Sequence, residues 1–199
     1  MTLAPPGTAL PAKPPVAVLP PRLRLVRIYG PGRRWNERRS HGPLSDTRFD
    51  HHRPPIGVDP VRSVWYASRA LVGAVSETYG KRGFLDRSAG DRVVVARVVR
   101  ALRLVDLVGV GARRFGLTQE IAATTDYSVT QQWARAFYDS YPTLAGIRWR
   151  GRQTGSICVV LTDRARMRSL LRETDLSITD ASVWPRIARA AHLCGVRIV

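Results

Sequence analysis

The chain has 199 residues, 44% of them hydrophobic and 24% charged, which suits one globular domain with its own core and is too short for two comfortable ones. Its formal net charge is +17, and every basic residue except Lys13 and Lys81 is arginine. Such a balance points to nucleic acid, an acidic protein or a phosphate-bearing small molecule as partner.

The densest basic clusters, 33-RRWNERR-39 and 148-RWRGR-152, are too short for the stripes of a dedicated nucleic-acid surface. Direct nucleic-acid binding is therefore not expected. Cys158 and Cys194 are the only cysteines and form no CxxC, so they read as small buried thiols of a reducing compartment rather than a disulfide framework or zinc site. The opening residues lack a basic stretch followed by an apolar core, and no apolar run approaches the roughly 20 residues of a membrane span. A cytoplasmic protein without membrane contact is the expectation.

Residues 1–21 are rich in proline and poor in aromatics, and read as an extended or disordered arm. Order is expected from 22-RLRLVRIYG-30, where Leu23, Leu25 and Arg27 alternate as in a strand until Gly30. From Arg33 to Pro60 the chain is polar and turn-rich, a long irregular connection of the kind that carries function. Val64–Tyr66 reads as a strand and 69–79 as a helix with Leu71, Val72 and Val75 on one side. The β-branched runs 92-RVVVARVV-99 and 101-ALRLVDLV-108 read as core strands. Thr118 opens a short helix. Asp126 or Ser128 caps the next, over 129–140, which ends before Pro142. A strand pair follows, 146-GIRWR-150 and 156-SICVVL-161, then a helix over 184–193 and a last strand, 196-VRIV-199. Without a regular βαβ rhythm, the class is α+β.

No GxGxxG or GxxxxGK[ST] is present, which argues against a Rossmann domain or a P-loop. His41, His51 and His52 read as solvated loop histidines, so no metal site is expected. Ser68 lacks the glycine setting of a nucleophile elbow. Arg27, Arg48, Tyr66 and Glu77 remain. Glu77 falls near a helix C-terminus, where negative charge is slightly unfavourable. Together the four suit cleavage of an N-glycosidic bond to a cationic leaving group, as in NAD. A carboxylate would stabilise the oxocarbenium-like sugar, arginines would hold a pyrophosphate, and a tyrosine would stack on the ring.

The ordered series 25-LVRIYG-30, 48-RFD-50, 65-WYAS-68, 73-GAVSETYG-80, 125-TDYSVTQQWARAF-137 and 145-AGIRWRGR-152 resembles the RES domain, named for its arginine, glutamate and serine positions. The resemblance implies a single α+β domain over 22–199, a mixed sheet with flanking helices similar to ADP-ribosyltransferase toxins. It also implies a toxin that degrades NAD by phosphorolysis or hydrolysis and is neutralised by an Xre-like antitoxin. NAD is then substrate rather than cofactor, with inorganic phosphate as potential co-substrate. Glu77, Arg48 and Tyr66 would be catalytic; Arg27, Tyr29, Gly151 and Arg152 would contact NAD. Where the family has serine this chain has Gly151, and Trp149 stands for its tyrosine. An ADP-ribosyltransferase, or a silent module binding antitoxin or nucleic acid, are the alternatives.

Overall fold

The computed structural model describes residues 3–7, 9–40, 47–55, 57–118 and 120–199. His41 and Asp46 lie outside the described residues. In chain order the strands and helices are β1 (Val16–Leu19), β2 (Arg24–Tyr29), β3 (Arg39–Ser40), β4 (Ser63–Ser68), α1 (Leu71–Tyr79), β5 (Phe84–Leu85), β6 (Arg92–Val98), β7 (Leu102–Asp106), α2 (Val110–Arg113), α3 (Glu120–Ala123), α4 (Tyr127–Ser140), β8 (Gly146–Arg150), β9 (Ile157–Thr162), β10 (Leu170–Ser177), α5 (Trp184–Leu193) and β11 (Arg197–Ile198). The α+β class with one mixed sheet and flanking helices is what the chain adopts.

The main sheet runs β1-β7-β8-β9-β4-β2-β6-β10, with β3 on β4, while β5 and β11 form a small separate ribbon. β7 and β8 are parallel and every other pair in the main sheet is antiparallel. Strand alternation sends residues to two sides. Leu19, Leu25, Trp65, Ala96, Leu104 and Val159 come from six different strands and form one buried cluster without a helix. The sheet therefore closes round its own inner face.

The helices cover the other face in two groups. Trp133, Ala134 and Phe137 of α4 repeat at helical spacing and pack with Ile121, Val105 and Val160. Ala74 and Val75 of α1 meet Ile187 and Ala191 of α5 over Ile28 and Val93. Asp126 caps α4 by accepting from the Ser128 N–H at 2.9 Å.

Several sequence expectations are corrected. Order begins before Arg22, because the arm is extended but attached: β1 pairs with β7. Trp133 Nε1 donates to the Ala4 carbonyl at 2.9 Å, the Tyr141 hydroxyl donates to the Pro11 carbonyl at 2.8 Å, and Leu3 and Leu10 pack on the core. Proline withholds a backbone donor but leaves its carbonyl as an acceptor, which Tyr141 uses at Pro11. The connection 33–60 contains β3. β10 escaped notice because its sequence LLRETDLS lacks a clean apolar alternation. His51 and His52 are buried rather than solvated; His51 Nε2 lies 3.2 Å from Asp163 Oδ1 and its ring stacks on Tyr138 at 4.3 Å.

Candidate active site

The site arises where the sheet comes apart. β2 pairs with β6 along its whole length, but with β4 it shares one residue pair, Val26↔Ser68. Beyond that pair the two strands diverge, and a cleft of about 320 Å³ opens between them, α1 and the start of α4. Arg27, Arg33, Arg39, Arg48 and Lys81 line it together with Tyr66, Tyr127 and Trp149. Among the described residues Glu77 is the only acidic side chain on its wall. The size falls within the usual range of small-ligand sites.

Glu77 stands on the last turn of α1. Glycine sets how closely that helix approaches β4 and β9: a Cβ at Gly73 would run into the Ser68 hydroxyl and lie 2.6 Å from Ser156 Cβ. At its far end, Ser76 Oγ donates to Gln153 Oε1 at 2.7 Å. The Glu77 carboxylate is open to solvent in the cleft but has protein on most sides. That desolvation raises its pKa above the ordinary carboxylate value, against the pull of the Arg48 guanidinium and a hydrogen bond from Cys158.

Arg48 is held from behind. Its Nη1 donates to the Thr124 carbonyl at 2.6 Å, and its guanidinium lies 4.8 Å from the Tyr127 ring centroid. Thr130 Oγ1 donates to the Arg48 carbonyl at 2.5 Å. No direct ion pair joins Arg48 to Glu77 among the described residues; their attraction acts across the cleft.

Tyr66 presents its ring to the cleft and commits its hydroxyl elsewhere. That hydroxyl accepts from the Phe49 N–H at 2.9 Å and donates to Asp50 Oδ1 at 3.2 Å. Asp50 in turn accepts from Arg39 Nη2 at 2.7 Å. Burial and the neighbouring Asp50 charge hold the Tyr66 pKa well above its ordinary value. The side chain is therefore a neutral wall, with Trp149 edge-on to it at 6.0 Å.

Arg27 emerges at the fork, with its guanidinium 5.3 Å from the Trp65 ring centroid. Part of the residue opens to the cleft, yet Nε is sealed and has no hydrogen-bond partner. Burial first, then the charge of Arg33, lowers its pKa to about 10. A desolvated cation without a carboxylate partner is costly unless an anion joins it.

The other expected contacts divide. Gly151 lies beside Glu77: a Cβ there would be 3.1 Å from Glu77 Oε1 and 3.3 Å from Cys158 Sγ. Tyr29 and Arg152 are not on the cleft wall. The Tyr29 hydroxyl donates to Asp175 Oδ1 at 2.6 Å, across β6 on β10. Arg152 Nη1 donates to the Ala123 carbonyl at 3.1 Å. Sequence reasoning missed Arg33, Arg39, Lys81 and Tyr127 as wall residues, and the contact of Cys158 with Glu77. No local pattern marks them, because they are gathered by strand pairing and by the packing of α4.

A strand fork bearing one carboxylate among arginines makes a cleft whose charge suits an anionic small molecule, on an α+β fold. The sequence profile of the RES domain matches residues 24–181, so the chain belongs to the RES family. No curated protein sequence matches it. Among solved structures, one chain of the crystal structure of the M. tuberculosis MbcT–MbcA toxin–antitoxin complex is similar, with a TM-score of 0.59 and 18% identity over 83% of this chain and 88% of that one. At that identity the likeness concerns the fold.

Proposed function

We propose that this RES protein is a toxin that degrades NAD by breaking the bond between the nicotinamide nitrogen and C1′ of its ribose. The observation that carries the reading is Glu77, the one carboxylate among the described residues of a cleft wall that bears five cations and three aromatic rings. Membership of the RES family and the fold likeness to a chain of a toxin–antitoxin complex support it.

The unpaired Arg27, with Arg33 beside it, offers charge-assisted hydrogen bonds to a pyrophosphate. Tyr66, Trp149 and Tyr127 give flat apolar surface for the nicotinamide ring. In the bond-breaking step the C1′–N electron pair goes to the pyridinium nitrogen, which leaves as neutral nicotinamide. Positive charge develops on the ribose, where the Glu77 carboxylate stabilises it. An oxygen of phosphate or water then bonds to C1′, and in the case of water a proton is released. The Arg48 guanidinium favours the ionised form of Glu77, against the desolvation that raises its pKa. An antitoxin of the Xre-like class is the partner that fits a cytoplasmic toxin of this kind.

Incubating purified protein with NAD, with and without inorganic phosphate, tests the reading by nicotinamide release. ADP-ribose 1″-phosphate as product identifies phosphorolysis, and free ADP-ribose identifies hydrolysis. Absence of nicotinamide under both conditions overturns both.

A further inference from the structure

Glu77 Oε1 and Cys158 Sγ both border the space beside Gly151. Gly151 has no left-handed φ, so its backbone does not require glycine. What its missing Cβ provides is space: a methyl group would lie 3.1 Å from Glu77 Oε1 and 3.3 Å from Cys158 Sγ. The carboxylate and the thiol therefore flank the same small volume. The β8–β9 pairing fixes this arrangement, with Trp149↔Cys158 in register and the Gly151 N–H donating to the Ser156 carbonyl at 2.8 Å.

We propose that Cys158 is a positioning residue for Glu77, its S–H donating to the carboxylate through the space that Gly151 leaves open. The inference rests on the reading of Glu77 as the working carboxylate of the cleft. Cys158 is fully buried, so the role is not one of nucleophile or exposed redox thiol. Burial, with the Glu77 charge next, pushes its pKa up, which keeps the thiol protonated and therefore a donor. The thiol has one proton, and Glu77, the Ser68 hydroxyl and the Ser156 carbonyl are its oxygen neighbours. Ser156 offers a neutral carbonyl at 3.7 Å, whereas an ionised carboxylate is the stronger acceptor. The other charged or titratable groups on the cleft wall are Arg48 before β4, Arg27 on β2, Arg33 after it, Arg39 on β3, Lys81 past α1, Tyr66 on β4 and Tyr127 on α4. Of these, Arg48 acts on it by charge, while Cys158 contributes a hydrogen bond.

The chain has four glutamates, Glu37, Glu77, Glu120 and Glu173. Labelling glutamate with 13C at the side-chain carboxyl therefore gives four resonances, and the E77Q variant assigns the one that matters. The expected result is that C158A moves the Glu77 titration to higher pH, that C158S leaves it near the wild-type position, and that the acid limb of the pH–rate profile follows the same order. C158V, which leaves no cavity and adds no donor, should shift as C158A does and serves if the alanine variant folds poorly. An unchanged Glu77 titration in C158A or C158V overturns the proposal. An equal shift in C158S also overturns it, because packing rather than a donor would then be responsible. The titration needs no NAD turnover, so failure of the enzymatic reading, seen as undiminished NAD loss by E77Q, is distinguishable from failure of this one.

Discussion

Glu77 and Arg48 line one cleft and attract each other without an ion pair: the Arg48 guanidinium is anchored 2.6 Å from the Thr124 carbonyl instead. The separation leaves room between the charges for a ligand, and it leaves Glu77 partly desolvated and unneutralised. A carboxylate kept in that state costs stability at neutral pH, which gives a clear signature.

The E77Q variant should lose about 100-fold or more of NAD cleavage, the scale seen when one charge-stabilising group is removed from an active site. It should also be more stable than wild type near pH 7. Glu77 has a raised folded-state pKa, so its contribution to stability is fully present below the unfolded value, about 4.3, and is lost as pH rises through the folded value. The gain in Tm should therefore shrink as pH falls and vanish below pH of about 4. Thermal melts across that range check it.

Arg27 predicts a second trade of the same kind. Replacing it with methionine removes a desolvated cation whose Nε has no hydrogen-bond partner, and the fold should become more stable. Wild type should gain stability on adding ADP-ribose, by ligand linkage. R27M should lose most of that gain. Melting temperatures with and without the ligand measure both effects.

The N-terminal arm should prove structural. Deleting residues 1–12 removes the bonds from Trp133 and Tyr141 and the packing of Leu3 and Leu10, a loss of about 2–5 kcal/mol. Chemical denaturation should show a lower midpoint. An unchanged midpoint would mean that these contacts do not persist in solution.

G73A should displace α1, because the added methyl would meet the Ser68 hydroxyl and Ser156 Cβ. The expected cost is about 1–3 kcal/mol of stability, together with a drop in kcat as Glu77 moves. Denaturation and steady-state kinetics read the two losses separately.

Much of this was legible in the sequence where local pattern decides. The β-branched runs of β6 and β9 and the helical spacing of α4 mark themselves, and Arg27, Arg48, Tyr66 and Glu77 do converge on one cleft. What was hidden depends on distant partners. Tyr29 follows Arg27 by two residues on β2, yet Asp175, far along the chain, captures its hydroxyl. His51 and His52 look like loop polars until Asp163 and Tyr138 bury them. The proline arm has little to bury on its own, but α4 and β7 supply the surface that orders it. The contact of Cys158 with Glu77 follows only from the pairing of β8 with β9 beneath α1.

The most direct test follows nicotinamide release from NAD by wild type and E77Q at equal concentration, with inorganic phosphate present. Release by wild type and its loss in a folded E77Q variant is the predicted result. Equal release by the two proteins would contradict the role of Glu77, and no release by wild type, with or without phosphate, would contradict NAD cleavage itself.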